Sequence, residues 1–189
     1  MKKLCATLLA MALVMIANVY AMAGTFDDYW DFEQADGTYA YAFSRVKVSM
    51  DKDWYQKTRV VLENDGSTAS FYHEGSYSAY AAEGQTGGLL FAIGASVNTD
   101  FQSLPHFIWL GFDEEEAMNY YARLPTDYQA YPGDEAVREE YDALRSGVED
   151  VIASIQVKGS AAYEELPETE AAPPRIVSSG DYDYLINDH

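Results

Sequence analysis

Residues 57–73 have the sequence KTRVVLENDGSTASFYH, in which two strand-forming runs flank a turn. Asp65-Gly66 is a favoured pair for a tight hairpin turn because these residue types tolerate a positive φ. With these two residues in the loop, the register of the hairpin is fixed, and it decides which side chains share a face. The predicted pairs are Val60 with Phe71 and Leu62 with Ala69 on the core face, and Arg59 with Tyr72 and Val61 with Ser70 on the other.

The segments on either side of this hairpin also have strand patterns. Ala42–Met50 alternates apolar and polar residues, which is typical of a half-buried strand. Leu89–Val97 carries no charge on either face, so we expect a central strand that is covered on both sides. His106–Phe112 and Met118–Leu124 are further strand candidates, whereas Ser76–Ala82 is interpreted as a short helix or a loop.

The last segment of the domain, Asp134–Ile155, has the pattern of one long amphipathic helix. Its apolar residues recur mostly at spacings of three and four, and Asp134 precedes them as an N-cap. Gly147 is the one weak position, since glycine costs a helix about 1 kcal/mol relative to alanine. The short loops between consecutive strands favour antiparallel pairing. The predicted fold class is therefore α+β, an antiparallel β-sheet with a long C-terminal helix packed on one face.

The order of these elements, together with several short motifs, resembles a known group of proteins. The motifs are Asp53-Trp54, Ser70-Phe71-Tyr72-His73, Gly87-Gly88-Leu89-Leu90-Phe91-Ala92-Ile93, Leu104-Pro105, Leu110-Gly111, Tyr120-Tyr121 and Leu124-Pro125-Thr126-Asp127. Over residues 38–158 the chain resembles uncharacterised extracellular domains of gut bacteria and, more distantly, the PsbP/Mog1-like fold, an α/β/α sandwich. The resemblance implies a protein that binds or helps to assemble other proteins, and it supplies no catalytic residues.

The two ends of the chain differ from the single domain expected at residues 38–158. Residues 1–23 have a lysine-bearing start, an apolar run and small residues at the end, which predicts a signal peptide cleaved between Ala23 and Gly24. We expect an exported protein, periplasmic or extracellular, with no membrane insertion after the signal peptide is removed. Residues 24–37 are interpreted as an irregular acidic lead-in, and residues 159–189 as an acidic, proline-containing disordered tail.

The chain is strongly acidic, with a formal net charge of −19 over 189 residues. Loss of the two lysines in the signal peptide, which has no acid, changes −19 to −21 for residues 24–189. Such a protein is repelled by nucleic acid and by anionic membranes, and it attracts basic proteins and cations instead. Cys5, the only cysteine, lies in the signal peptide, which excludes disulfides, cysteine nucleophiles and thiolate metal sites from the exported protein.

No catalytic, cofactor-binding or metal-binding residue is predicted from the sequence. His73, His106 and His189 lack metal-ligand spacing, and we interpret the first two as ordinary histidines at strand ends. The carboxylates of Asp113–Glu116 are interpreted as a solvated loop. A carboxylate-dependent hydrolase is the least favoured alternative, since it requires a deep cleft that holds two acids, at least one with a raised pKa.

Aromatic residues are the feature that points to binding. Tyr and Trp provide rigid contact area for proteins or sugars when they lie at a surface. The predicted partner-binding surface consists of Arg59, Tyr72, Tyr77 and Tyr80. Trp54 and Trp109 are expected in the core. The first hypothesis is an exported, acidic, non-catalytic domain that binds an envelope or extracellular protein or helps to assemble one. The alternative is a glycan-binding module that uses surface Tyr and Trp.

Overall fold

The computed structural model describes residue 26 and residues 29–64 and 66–160. In this part of the chain the fold is α+β, with two antiparallel sheets and four helices. The strands are β1 (Tyr29–Glu33), β2 (Tyr39–Phe43), β3 (Val46–Met50), β4 (Thr58–Glu63), β5 (Thr68–His73), β6 (Leu89–Ser96), β7 (Phe107–Asp113), β8 (Met118–Arg123) and β9 (Gln156–Val157). The helices are α1 (Lys52–Lys57), α2 (Glu74–Ala82), α3 (Glu135–Ser146) and α4 (Val148–Ala153), and a 3-10 turn covers Asp100–Ser103.

The predicted hairpin forms β4 and β5, and its register is the predicted one, with Val60 opposite Phe71 and Arg59 opposite Tyr72. The turn holds Gly66 at a φ of 76°, in the left-handed region that glycine tolerates. β6 is the middle strand of the five-stranded sheet, whose order is β4-β5-β6-β8-β7, so the prediction of a central strand is confirmed. We call this five-stranded sheet the large sheet. The four-stranded sheet, with the order β1-β2-β3-β9, is the small sheet.

Aromatic rings join the two sheets in the core. Phe71 and Phe91 stack on adjacent strands of the large sheet, with their ring centroids 4.4 Å apart. Tyr41 and Phe43 of the small sheet approach the Phe71 ring edge-on, at 5.8 and 6.5 Å. The ring centroids of Trp54, on α1, and Phe91 lie 6.4 Å apart. Aromatic pairs in such arrangements contribute about 0.5–1.5 kcal/mol each beyond the area that they bury, so this cluster holds the sheets together.

The small sheet differs from the sequence expectation. Instead of one strand over Ala42–Met50, the chain reverses at residues 44–45, and β2 and β3 form a hairpin with Tyr41 opposite Val48. The prediction of an irregular lead-in is also wrong for Tyr29–Glu33, which forms β1 and pairs with β2. The two strands are connected by a tight turn over residues 34–38, in which the backbone N–H of Gln34 donates to the Thr38 carbonyl and Gly37 has a φ of 84°. The alternation of apolar and polar residues in β1 spans only Trp30–Glu33, which is the shortest pattern typical of a strand, so the sequence signal is weak.

The predicted C-terminal helix is two helices rather than one. Asp134 is the N-cap of α3, as predicted, and accepts hydrogen bonds from the backbone N–H groups of Ala136 and Val137. Tyr141 and Leu144 are buried on α3, and Val148, Val151 and Ile152 are buried on α4, but α3 ends at Ser146 and α4 begins at Val148. A Cβ at Gly147 would lie only 3.0 Å from Trp54 Nε1, so the missing side chain permits this close approach. The break thus falls at the position that the sequence marks as weak.

Several sequence predictions fall outside the described residues. They are the signal peptide at 1–23, its cleavage between Ala23 and Gly24, and the tail from residue 161 onward. Within the described ranges, none of the helices combines the length and the apolar character needed to cross a membrane.

Candidate functional site

The predicted partner-binding residues form one cluster of three and one separate residue. The Arg59 guanidinium lies 4.8 Å above the Tyr77 ring, and Tyr72 meets Tyr77 edge-on at 5.0 Å. Tyr80 instead donates a hydrogen bond to the carbonyl of Ala130. All four side chains are partly buried rather than freely presented.

The polar groups of this cluster are used within the molecule. Arg59 donates two hydrogen bonds to the Glu74 carboxylate, at 2.6 and 2.7 Å. The Tyr72 hydroxyl donates to Glu63 at 2.6 Å, and burial, reinforced by this carboxylate, raises the pKa of Tyr72. These bonds tie β4, β5 and α2 together. A role of the cluster in binding a partner therefore stays a prediction.

His73 is a satisfied structural histidine, as predicted. It is fully buried at the junction of β5 and α2, where Nδ1 accepts a hydrogen bond from the backbone N–H of Ser76. The ring proton therefore lies on Nε2 and is donated to Glu140 on α3, 2.8 Å away. Burial alone would raise the pKa of Glu140, but hydrogen bonds from His73 and Lys57 outweigh it and lower that pKa. His106 is exposed, and its backbone carbonyl accepts from Leu124.

An ion pair joins the two sheets at the turn between β7 and β8. Arg45 follows β2 and donates to both carboxylate oxygens of Asp113, which ends β7. Asp113 is only 1% exposed, so the prediction of a solvated loop is wrong for this residue. Burial opposes the charged form, but the Arg45 guanidinium and two backbone N–H groups hold the pKa of Asp113 below its usual range. The interpretation as solvated residues is confirmed for Glu114, Glu115 and Glu116, which are exposed.

The register of the large sheet places aromatic residues on its outer face. Residues directly opposite one another on neighbouring strands share a face. Trp109 on β7 lies opposite Tyr121 on β8, which in turn lies opposite Gly94 on β6. The next cross-strand pairs on the same face contain Phe107 and Phe112. We define the β7 aromatic face as Phe107, Trp109, Phe112 and Tyr121. Trp109 is 52% exposed and Phe112 is 41% exposed, so this face presents large apolar side chains to solvent.

Neighbouring groups hold the rings of this face in place. Phe101 of the 3-10 turn packs on Tyr121 with centroids 4.6 Å apart, and Phe107 packs on Tyr121 at 5.2 Å. The indole N–H of Trp109 donates to Asn119 Oδ1 at 3.3 Å. The expectation that Trp109 belongs to the core is therefore wrong, whereas Trp54, at 6% exposed, is a core residue as expected.

Sequence reasoning missed this face because β7 is an edge strand with apolar residues on both sides. The run from Phe107 to Phe112 contains no polar residue that would mark an outer face. Only the pairing of β7 with β8, which places Trp109 opposite Tyr121, shows which of the alternating β7 side chains lie on the outer face. The exposed carboxylates Glu114, Glu115 and Glu116 follow directly after β7 and give this end of the face an acidic border, whereas exposed Arg123 lies opposite Phe107 at the other end.

A cleft of about 300 Å³ lies between β3, the start of α1 and the break at Gly147. We call it the Gly147 cleft. Its apolar side chains are Met50, Trp54 and Val151, and its polar side chains include Thr38, Asp51 and Asp150. Thr38 donates to Asp36, whose pKa is lowered mainly by that hydrogen bond. Across the described ranges no group of three His, Cys, Asp or Glu side chains could hold a metal ion.

Comparison of the chain with protein-family models, with curated proteins and with solved structures gave no match. Candidate functions therefore rest on the β7 aromatic face and the Gly147 cleft.

Proposed function

We propose that this protein is an exported, non-catalytic domain that binds an extracellular or envelope protein through the β7 aromatic face. The observation that supports the proposal is the exposure of Trp109 and Phe112 side by side on one strand. Exposed apolar patches on soluble proteins mark interaction sites more often than chance, whereas isolated exposed residues do not. Aromatic side chains are also enriched in protein interfaces.

The face is suited to tight contact because three of its four rings, those of Phe107, Trp109 and Tyr121, already pack on or bond to neighbouring side chains. Binding normally costs about 0.5–1.5 kcal/mol for each mobile side chain that becomes fixed. Trp109 is held by Asn119, and Tyr121 is held between Phe101 and Phe107. Association therefore loses little additional side-chain entropy at Trp109 and Tyr121. Truncation of a central Trp in an interface costs about 2 kcal/mol or more, which is roughly 30-fold in Kd.

The acidic border indicates the chemistry of the partner. Exposed Glu114 and Glu116 lie at one end of the face and Arg123 at the other, and the chain as a whole carries a large negative charge. We infer a partner with an apolar patch bordered by Lys or Arg, because complementary charges speed association and exclude wrong partners. Association with such a partner becomes weaker as salt is added.

A photo-crosslinking amino acid in place of Trp109 tests the proposal in cells that produce the protein. The matched control carries the same amino acid at Tyr128, which is similarly exposed (47%) but lies outside the face. We expect one protein to be captured from position 109 and not from position 128. With that protein purified, Trp109→Ala should bind roughly 30-fold more weakly, and Tyr128→Ala within about twofold of the unchanged chain. Equal capture from both positions, or capture from neither, contradicts the proposal.

The other hypotheses have unequal support. A glycan platform would use the same exposed Trp109 ring, and loss of glycan-array signals in Trp109→Ala would favour it. The relationship to the PsbP/Mog1-like sandwich stays a prediction, and it favours protein binding. A hydrolase gains no support from Asp36, Asp113 and Glu140, whose carboxyl pKa values are lowered rather than raised.

A further inference from the structure

We propose that the Gly147 cleft binds a hydroxyl-rich ligand about the size of one sugar residue. The inference does not rest on the protein-binding function, since the cleft shares no residue with the β7 aromatic face. Its volume of about 300 Å³ lies at the lower end of the range for small-molecule sites.

The first argument is the indole N–H of Trp54. The Trp54 side chain is 94% buried, since only 6% is exposed, and it forms part of the cleft wall. Its Nε1 faces the position where a side chain is missing, 3.0 Å from where a Cβ of Gly147 would lie. No described residue accepts a hydrogen bond from this N–H, and the atom is not among the buried polar atoms without a partner, which in the described ranges are Thr58 Oγ1 and Ser70 Oγ, so it is accessible from solvent. The cleft therefore presents a hydrogen-bond donor that a ligand acceptor would satisfy.

The second argument is the set of acceptors beside this donor. The Asp51 carboxylate accepts a hydrogen bond from the backbone N–H of Trp54 through Oδ1, which leaves further acceptor capacity on this group. Asp150 is exposed on the first turn of α4, and its carboxylate bonds to no side chain in the described ranges. Ser154 is already engaged, because its hydroxyl bonds to the backbone of Ser49. Two carboxylates and one N–H are thus the groups of the cleft with the most free hydrogen-bonding capacity. The hydroxyls of Thr38 and Ser49, which also line the cleft, are bonded to Asp36 and Gln34.

A hydroxyl-rich ligand matches this set better than a cation does. Each hydroxyl can both donate and accept, so neighbouring hydroxyls can donate to Asp51 and Asp150 while another accepts from Trp54. A metal ion or an ammonium group would satisfy the carboxylates but would give the indole N–H no acceptor. The apolar walls, Met50 and Val151, suit the C–H surface of a sugar ring.

Indole resonances in a proton–nitrogen NMR spectrum test the proposal directly. The sequence contains three tryptophans, so Trp30→Phe and Trp109→Phe identify the Trp54 resonance by elimination. The protein is titrated with glucose, galactose and N-acetylglucosamine and, in parallel, with calcium chloride and methylammonium chloride. We expect at least one sugar to shift the Trp54 resonance saturably. A shift with the cations alone, or with none of the five probes, overturns the proposal.

A pair of matched variants then places the ligand in the cleft. Asp150→Asn and Glu149→Gln remove the same charge from adjacent exposed residues of α4, but only Asp150 lines the cleft. Loss of a hydrogen bond to a charged group should weaken sugar binding about tenfold or more in Asp150→Asn. Glu149→Gln should bind within about twofold of the unchanged protein. Equal affinity of the two variants would show that the sugar binds elsewhere and overturns the assignment.

Discussion

Removal of the Asp113 carboxylate should weaken the fold measurably, because this group links the two sheets. Arg45 leaves the small sheet at the end of β2, and its Nη2 donates to Asp113 Oδ1 at 2.8 Å, while Nε donates to Oδ2. Asp113 Oδ1 also accepts from the backbone N–H groups of Glu115 and Glu116. In Asp113→Asn the amide oxygen can keep these backbone bonds, so the substitution acts mainly on the pair with Arg45.

The size of the effect follows from the burial of the pair. Removing one partner of a fully buried ion pair costs about 3–5 kcal/mol, and a hydrogen bond to a charged group contributes about 1.5–3 kcal/mol. The Arg45 side chain is 12% exposed and keeps an ion pair with Glu115 at 2.9 Å. We therefore expect the lower part of these ranges, about 2–3 kcal/mol, in the free energy of unfolding at neutral pH.

Urea unfolding, followed by circular dichroism, measures this loss. Glu115→Gln is the matched control, because it removes a carboxylate that pairs with the same arginine but is 72% exposed. An exposed pair contributes about 0–1 kcal/mol. Glu115→Gln should therefore lower the free energy of unfolding by about 1 kcal/mol at most. The urea dependence should stay the same in all three proteins, as it does when only stability changes.

The pH dependence gives a second check on the same reasoning. The folded pKa of Asp113 is lowered relative to the unfolded chain, so the carboxylate contributes its full stabilisation above the unfolded pKa of about 3.9. That contribution is lost as the pH falls through the folded pKa. The stability gap between the unchanged protein and Asp113→Asn should therefore close in acid. An Asp113→Asn variant as stable as Glu115→Gln, or a gap that persists in acid, would refute the argument.

Two further predictions concern the core and export. Phe71→Ala should lower the free energy of unfolding by about 3–5 kcal/mol, because it leaves a cavity beside Phe91. Phe112→Ala on the exposed face should change the free energy of unfolding by about 0.5 kcal/mol or less. Urea unfolding of the two variants and the unchanged protein measures both effects. The intact mass of the exported protein should correspond to a chain that begins at Gly24, and a mass that includes Met1 would contradict the predicted cleavage.

The hairpin of β4 and β5 could be predicted to the residue because everything that determines it is local. Asp65-Gly66 sets the turn, and alternation over six residues on each side sets the faces. β1 also pairs with β2 across a tight turn that contains Asp36-Gly37, but its alternation of apolar and polar residues spans only Trp30–Glu33, so the local signal is weaker. The close approach of Trp54 to Gly147 joins residues that are far apart in the sequence. Local propensity marked Gly147 as weak, and the nearby indole leaves little room for a side chain at this position.

The two candidate sites lay beyond sequence reasoning for a related reason. The Gly147 cleft brings residues 38–54 against residues 147–154, and no short motif spans that separation. The β7 aromatic face depends on which side of an edge strand meets the core. A pattern without polar residues leaves that question open, so Trp109 was assigned to the wrong side. The predicted surface at Arg59 failed to stand out for the opposite reason, since its charge is matched by Glu74 and its rings pack on each other.

The acidic charge of the protein should act differently at the two proposed sites. Arg45, Lys57 and Arg59 are already paired with carboxylates inside the fold, so they do little to offset the acids that remain exposed. A basic protein partner would feel this excess over the screening distance of about 8–10 Å, and added salt would weaken its binding. A neutral sugar in the Gly147 cleft would feel no such attraction, because its bonds to Asp51 and Asp150 are short-ranged. Ionic strength should therefore weaken binding at the β7 aromatic face while leaving the affinity of the cleft for a sugar nearly constant.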